Sequence, residues 1–249
     1  MPPNLATLAL AVAVTMSAAQ PAFPAQPSDH LGTRTVLLGR SVDRRPITAV
    51  ETGDFDSPRK VLVVGCIHGD ECAGIAVAEL LAHMRPPREL DLWVIPNLNP
   101  DGLELGIRAN AHQVDLNRNF PWRWAPLEGT YDAGPRPLSE PETRIAYRLI
   151  QRVRPGVSIW FHQHLDVVDS SGGQTTPRLA FAKAAGMRLA GLAAEPGSAT
   201  TWEDHCLPGA SSFVVELPPG VLPPSSVKRL ALAVLVSARS APVRVADRC

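Results

Sequence analysis

The 249-residue sequence has little lysine and no excess of charge of either sign. Only 3 of its 24 basic residues are Lys, and 24 acidic residues balance them. Nucleic acids and anionic membrane surfaces attract proteins through an excess of positive charge, so this balance excludes an electrostatic argument for either partner. The scarcity of Lys, together with abundant Ala and Pro, is typical of a GC-rich bacterial genome.

The sequence also lacks an apolar run that is long enough to span a membrane comfortably. Its most apolar stretch covers residues 5–14, whereas a membrane-spanning helix needs about 20 residues. Small residues and a Pro-rich tail follow, and Ser17-x-Ala19 offers a cleavage site, so residues 1–27 resemble a signal peptide, although no Lys or Arg precedes the apolar run. We expect a bacterial protein that is exported to the periplasm or beyond the cell, with one domain over residues 28–249 and no stable membrane span.

A short apolar strand followed by a polar turn is the most informative stretch. Residues 61–64 are all apolar, which predicts a strand buried on both faces of a sheet, and Gly65 ends the run. His68 and Glu71 follow in a tight turn. An imidazole and a carboxylate three residues apart can converge on one cation where the backbone turns, and Zn²⁺ accepts both ligand types. The alternative for so short a pattern is a solvated loop at the end of a strand.

No C-x-x-C pair occurs among the four cysteines. An exported protein would use them in up to two disulfides, for which three pairings exist. A bridge between Cys66 and Cys72 would pin the polar turn, and Cys249 either reaches Cys206 or stays free. Zinc binding by Cys66 and Cys72 is the competing interpretation, which their spacing and the better ligands between them disfavour.

Strands and helices alternate along the chain. Short apolar runs predict strands at residues 35–38, 47–51, 61–64, 92–95, 157–161 and 212–215. Helical spacing predicts helices at residues 73–84, 139–154, 178–194 and 225–240. The second of these helices is expected to begin with a capping box of Ser139 and Glu142. This succession favours a single α/β/α domain with a mixed, largely parallel twisted sheet.

The polar segment 97–122 is long for a loop, and loops of this length are usually functional. Arg108 could stabilise the oxyanion of a tetrahedral intermediate. Arg118, with Asn117 beside it, could hold a substrate carboxylate through two parallel hydrogen bonds. Ordinary salt bridges within the loop are the alternative for both arginines.

Four residues from distant parts of the chain are predicted to meet at one edge of the sheet. In an open α/β sheet the carboxyl ends of the strands lie along that edge, where His68, Glu71, His162 and Glu216 would converge. Two His and one Glu form a catalytic zinc set that leaves one coordination position open. Glu216 is then free to act as a general base, which takes a proton from the attacking water and returns it to the leaving amine.

Five short motifs stand in one order along residues 60–219: HGDE at 68–71, NPDG at 99–102, DLNRNFP at 115–121, SEPET at 139–143 and VELP at 215–218. In this order they resemble the zinc carboxypeptidases, and more narrowly the bacterial branch that includes murein-peptide amidases. The resemblance implies one zinc ion with His68, Glu71 and His162 as ligands, Glu216 as catalytic base, Arg108 as oxyanion donor, and Asn117 with Arg118 as the clamp for the substrate's terminal carboxylate.

The sequence departs from the family in one respect. Many members carry a mobile tyrosine before the final strand, whereas no Tyr follows Tyr147 here, so the role is vacant or is filled by another residue such as Trp202. The terminal side chain of the substrate would be recognised near residues 200–202. Thr200 is neither apolar nor charged, which leaves the specificity open.

The leading hypothesis is a zinc-dependent metallocarboxypeptidase or amidase that acts on a peptide or muropeptide. A zinc-dependent N-acyl amino acid deacylase would share the ligands and the Asn-Arg pair, but SEPET and VELP favour the peptidase. A non-catalytic cell-wall peptide binder is the third hypothesis, and the presence of Glu216 disfavours it. No G-x-S-x-G motif supports a serine hydrolase.

Overall fold

An eight-stranded mixed sheet organises the computed structural model, which describes residues 30–85, 88–243, 246 and 248–249. In chain order the strands are β1 (Leu31–Arg40), β2 (Pro46–Asp54), β3 (Lys60–Val64), β4 (Asp91–Ile95), β5 (Val157–Gln163), β6 (Val167–Asp169), β7 (Arg188–Ala190) and β8 (Ser211–Leu217). Their spatial order is β1-β2-β4-β3-β5-β8-β6-β7. The central strands β4, β3, β5 and β8 run parallel, and antiparallel partners flank them on both sides.

Helices cover both faces of the sheet. They are α1 (Gly74–His83), α2 (Pro100–Leu105), α3 (Pro141–Val153), α4 (Thr175–Ala185), α5 (Ala199–Cys206) and α6 (Pro224–Arg239). The core on one face contains side chains of α1, α4 and α6, and the core on the other contains those of α3 and α5. This arrangement confirms the predicted α/β/α class with a mixed sheet. Within the described part of the chain, none of the helices combines the length and the hydropathy that crossing a membrane requires.

The apolar run in β3 is continuous because both of its faces are covered. Val61 and Val63 belong to one core, whereas Leu62 and Val64 belong to the other. Each is at most 1% exposed, and full burial of such a side chain stabilises the fold by roughly 1.5–3 kcal/mol. The carboxyl end of β3 is therefore a rigid platform for the turn that follows it.

The helix predicted over residues 178–194 is wrong at both ends. α4 spans Thr175–Ala185 and stops at Gly186, which adopts the left-handed conformation (φ 67°) that favours glycine. The chain then continues as β7, which pairs in parallel with β6. Strands of three residues are too short to produce a periodic signal, so β6 and β7 were not predicted.

The capping box predicted at Ser139 and Glu142 is also wrong. The N-cap of α3 is Glu140, with no side-chain cap, and Pro141 opens the helix. The Ser139 hydroxyl donates to the Glu140 carboxylate, and Glu142 accepts from the backbone N–H of Val42 at 3.0 Å. Both acidic side chains thus support neighbouring loops. The predicted signal peptide over residues 1–27 lies outside the described residues.

Candidate active site

The turn after β3 carries two of the candidate ligands and is closed by a disulfide. Gly65 lies so close to the next loop that a Cβ there would stand 2.5 Å from the carbonyl oxygen of Pro96. Cys66 and Cys72 are bonded to each other, which brackets His68 within a short covalent ring. The competing interpretation of these two sulfurs as zinc ligands is therefore wrong. The other two cysteines form the second disulfide.

Two imidazoles and one carboxylate meet at the carboxyl ends of β3 and β5. Nδ1 of His68 lies 3.1 Å from Oε2 of Glu71, and Nδ1 of His162 lies 2.9 Å from the same oxygen. One ligand atom from each of the three residues lies within 4.8 Å of the others. Both histidines are buried. The structure thus brings together three side chains that the sequence separates by up to 94 positions (68 to 162).

Asp115 contacts the ring nitrogen of His68 that does not face Glu71. No sequence pattern predicted this contact. Its carboxylate is fully buried, and Oδ1 lies 2.9 Å from Nε2 of His68. Because a carboxylate only accepts hydrogen bonds, a neutral His68 ring carries its proton on Nε2 and directs the lone pair of Nδ1 toward Glu71. Carboxylates behind metal-binding histidines commonly fix the tautomer in this way.

The charges in this cluster shift one another's pKa values. Burial opposes ionisation of Glu71, but the adjacent His162 and His68 rings hold its pKa far below the usual range. Burial likewise opposes ionisation of Asp115, whereas the charges of His68 and Arg108 keep its pKa low. For His162, burial dominates and lowers the pKa. Both carboxylates are therefore ionised, and the His162 ring favours its neutral form, which can bind a cation.

The three converging side chains form a set that suits a zinc ion. Catalytic zinc sites commonly combine two imidazole nitrogens and one carboxylate oxygen, and this cluster offers Nδ1 of His68, Nδ1 of His162 and Oε2 of Glu71. Two ring nitrogens that face one carboxylate oxygen need either a proton on each ring or a cation among them. The donor atoms and the support from Asp115 fit the cation.

Glu216 lies beside this cluster at the end of β8. It is opposite His162 in the register of β5 and β8, and it lines the same cavity as Glu71 and His162. Its Oε2 is buried without a hydrogen-bond partner among the described residues. Burial, followed by the negative charge of Glu71, raises the pKa of Glu216. A carboxylate oxygen without a partner at this position can accept a proton from a molecule in the cavity.

Arg108 reaches the cluster from the loop after α2. Asn99 caps that helix by accepting from the N–H of Gly102 at 2.9 Å, and its amide donates to the carbonyl of Arg108 at 3.3 Å. The Arg108 guanidinium donates to Glu71 through Nη1 at 2.6 Å and to Asp115 through Nε at 3.0 Å. Burial lowers the pKa of Arg108, but these two carboxylates outweigh it and the net shift is upward. Arg108 therefore keeps a fixed positive charge at the cavity wall.

Asn117 and Arg118 face the cavity from the 3-10 turn Leu116–Arg118. The side-chain oxygen of Asn117 accepts from the N–H of Ala199 at 2.9 Å, so its NH₂ group remains available as a donor. Nη2 of Arg118 lies 3.6 Å from the exposed carboxylate of Glu195. A guanidinium that already contacts a carboxylate, next to an amide donor, is suited to bind a carboxylate of a ligand.

One cavity of about 380 Å³ connects these residues with a second polar region, a volume in the range of small-molecule sites, which are about 300–1,000 Å³. Thr200, Asp169 and Asp204 also line this cavity, and burial raises the pKa of Asp204 to about 7. Arg178 is buried nearby and donates to the carbonyl of Ser171. Thr200 therefore lines the same cavity as Glu71, His162 and Glu216.

Trp202 does not reach this cavity. It is 2% exposed and packs in the core between Phe120 and Tyr147, with ring centroids 5.4 Å and 4.8 Å away. The suggestion that Trp202 covers a substrate is therefore wrong. Tyr131, to which the sequence assigned no role, lines the cavity instead.

Comparison with known proteins identifies relatives of the chain. A family model described as zinc carboxypeptidase (peptidase M14) matches residues 29–179. Murein peptide amidase A of Escherichia coli K12 is 34% identical over 122 residues, which cover 43% of this chain and 50% of that protein. Its namesake in Vibrio campbellii is 34% identical over 145 residues, which cover 53% and 58% of the two chains. The chain thus spans about half the length of the curated relatives it matches.

Solved structures agree with this fold. The murein-tripeptide amidase MpaA from Escherichia coli O157 gives a TM-score of 0.68 at 26% identity, covering 87% of this chain and 98% of that one. Carboxypeptidase A from Helicoverpa armigera gives a TM-score of 0.69 at 18% identity, covering 84% and 68%. At 18% identity, the similarity to this carboxypeptidase A shows a shared fold and nothing beyond it.

Proposed function

The chain belongs to the zinc carboxypeptidase family, and we propose that it hydrolyses the amide bond before a C-terminal residue of cell-wall peptides. The observation that carries this proposal is the convergence of His68, Glu71 and His162 beside Glu216, in one cavity with Arg118. The relatives named murein peptide amidase support cell-wall peptides as the substrate class.

His68, Glu71 and His162 would hold the zinc ion, which when bound polarises the scissile carbonyl and the attacking water. Asp115 maintains the His68 tautomer that makes Nδ1 a ligand. The disulfide between Cys66 and Cys72 restricts the backbone that presents two of the three ligands. The protein therefore holds the three proposed ligands in a fixed geometry, with both imidazole rings buried.

Glu216 acts as the general base in this proposal. Its partner-free Oε2 takes a proton from the water that attacks the carbonyl carbon, and later gives that proton to the nitrogen of the leaving amine. Placement opposite His162 in the strand register keeps this carboxylate beside the reacting bond.

Arginines and an amide position the substrate. Arg118 and the NH₂ group of Asn117 bind the terminal carboxylate, which displaces Glu195 from Arg118. Arg108 donates to the carbonyl oxygen as negative charge develops on it. Since Arg108 also donates to Glu71, the position of this donor depends on the position of a proposed zinc ligand.

We further propose that the protein is exported to the periplasm or beyond the cell. Two disulfides support this, because such bonds persist in oxidising compartments and are rare in the cytosol. The apolar segment 5–14 supports it as well. Fractionation of the bacterial cells that make the protein, followed by detection in periplasm, medium and cytosol, tests this proposal, and a purely cytosolic pool would contradict it.

A product assay tests the catalytic proposal. The zinc-loaded protein is incubated with a diaminopimelate-containing peptide, a plain peptide and an N-acyl amino acid, each with a free carboxylate, with and without a chelator. We expect release of the terminal residue or amine-containing fragment from the cell-wall peptide, loss of turnover with chelator, and recovery with added zinc. Turnover of none of the substrates, or turnover that the chelator leaves unchanged, would contradict the proposal. Acyl-acid release from the N-acyl amino acid alone would favour the deacylase.

A further inference from the structure

Tyr131 bridges the two arginines that face the cavity. It ends the 3-10 turn Gly129–Tyr131 and is 51% exposed. Its ring centroid lies 5.3 Å from Cζ of Arg108 and 5.2 Å from Cζ of Arg118. The ring therefore spans the distance between the group proposed for the scissile carbonyl and the group proposed for the terminal carboxylate.

The backbone around Tyr131 is tied to the segment that orients His68. The N–H of Asp115 donates to the carbonyl of Asp132 at 2.8 Å, and the N–H of Asp132 donates to the carbonyl of Gly129 at 3.0 Å. The Asp132 side chain accepts from the N–H of Gly134 at 2.7 Å. The ring is thus held at the cavity by neighbouring backbone contacts, without a packed core around it.

The two tyrosines of the chain have different surroundings. Tyr147 packs against the core and lies 4.8 Å from the ring of Trp202. Tyr131 instead faces the cavity, and its hydroxyl donates to none of the residues that the structure describes. Because the Tyr131 ring is half exposed, it adds little to the packing of the fold. Its free hydroxyl and its position over two guanidinium groups suit it to contact a ligand.

We propose that Tyr131 is a substrate-binding residue that covers the C-terminal residue of the substrate. Its ring packs over that residue, and its hydroxyl donates a hydrogen bond to the carboxylate that Arg118 and Asn117 hold. This proposal rests on the proposed function and assigns the covering role to a loop well before the final strand. It replaces Trp202, which the core encloses.

Steady-state kinetics of Tyr131→Phe and Tyr131→Ala test this role on a peptide with a free carboxylate. A lost hydrogen bond to a charged group corresponds to about a tenfold rise in KM for Tyr131→Phe, with kcat within about twofold of wild type. Tyr131→Ala also removes the ring, so its KM rises further. Tyr147→Phe is the matched control and keeps the wild-type KM. The melting temperature of both Tyr131 variants stays at the wild-type value, because the side chain is not part of a core.

Two outcomes separate this proposal from the function on which it rests. If the wild type is active and KM is unchanged in both Tyr131 variants, the substrate contact is overturned and the proposed function stays intact. The same conclusion follows if the variants lose activity together with a lowered melting temperature, or if only their kcat falls. A zinc-loaded wild type that hydrolyses no free-carboxylate peptide overturns the proposed function, and the role of Tyr131 with it.

Discussion

Several side chains in this site carry a buried polar atom that has no hydrogen-bond partner among the described residues. These atoms are Oε2 of Glu216, Nε2 of His162 and Nε of Arg118. Each such group costs roughly 1–3 kcal/mol when it is left unsatisfied. Three of them around one cavity are consistent with a site that is completed by ligands.

Glu216→Gln is expected to lower kcat by at least about 100-fold, because general-base catalysis contributes on the order of 10²–10⁴-fold. The amide keeps the size of the side chain but cannot accept the proton. Turnover of the free-carboxylate peptide and zinc content measured on the same sample check this. A variant with wild-type kcat would contradict the role of Glu216 as general base. If kcat falls while the zinc content is retained, loss of the metal is excluded as the cause.

Asp115→Asn is expected to weaken zinc binding by about 10–100-fold, the usual cost of losing a carboxylate behind a metal ligand. The amide no longer forces the proton of His68 onto Nε2, and it removes a charge beside Arg108. Competition for zinc against a chelating dye measures the change. Asp56→Asn, at an exposed carboxylate that contacts His30 at 3.2 Å, is the control. Equal zinc affinity in the two variants would show that Asp115 does not support the metal.

At the scale of elements, the turn after β3 depends on close packing against α2. A Cβ at Gly69 would overlap the backbone of Gly102, so the turn can approach the helix only with glycine at this position. The same helix is capped by Asn99, which also holds the carbonyl of Arg108. The HGDE and NPDG motifs therefore pack directly against each other, through Gly69 and Gly102.

Gly69→Ala is expected to destabilise the protein by about 1–3 kcal/mol, the usual cost of overpacking, and to weaken zinc binding because His68 moves with the turn. Urea denaturation and zinc titration measure the two effects. Gly191→Ala serves as control, since a Cβ there meets only Oγ of Ser170 at 3.8 Å. If both variants unfold at the wild-type urea concentration, the packing of the turn does not limit stability.

A buried carboxylate ties α5 to two strands. Glu203 accepts hydrogen bonds from Ser158 and Trp160 of β5 and from Ser212 of β8. Burial raises its pKa from 4.5 to about 7. The folded protein therefore holds this proton at pH values where the unfolded chain has lost it, so the contribution to stability is full below about pH 4.5 and is lost as pH rises to about 7.

Glu203→Gln is expected to reduce this loss, because the amide is neutral at every pH. Relative to wild type, the variant gains stability between about pH 5 and about pH 8, by at most about 3 kcal/mol. Urea denaturation of both proteins at the two pH values gives the difference directly. A constant difference would show that Glu203 does not titrate in this range.

The predictability of the elements follows from how each is stabilised. The runs that became β3, β4, β5 and β8 were recognised because burial on both faces leaves continuous apolar sequence. β6 and β7 were missed, since three residues give no period and Gly186 ends the helix that the pattern continued. Ser139 matched a capping pattern, yet Pro141 fixed the start of the helix one residue later and the acidic residues bind other loops.

For the molecule as a whole, the sequence predicted the α/β/α architecture and the convergence of the four residues at one sheet edge. Strand ends deliver His68, His162 and Glu216, and that placement follows from parallel topology alone. Asp115 and Tyr131 could not be found this way. Their contacts join segments whose approach depends on loop conformation, which neither periodicity nor spacing encodes.

The central claim is that one zinc ion binds where β3 and β5 end. Anomalous diffraction at the zinc edge, from crystals of the zinc-loaded protein, tests it most directly. We expect one strong peak about 2.0–2.2 Å from Nδ1 of His68, Nδ1 of His162 and a carboxylate oxygen of Glu71. A peak held by other residues, or none at this position in zinc-loaded crystals, would contradict the claim.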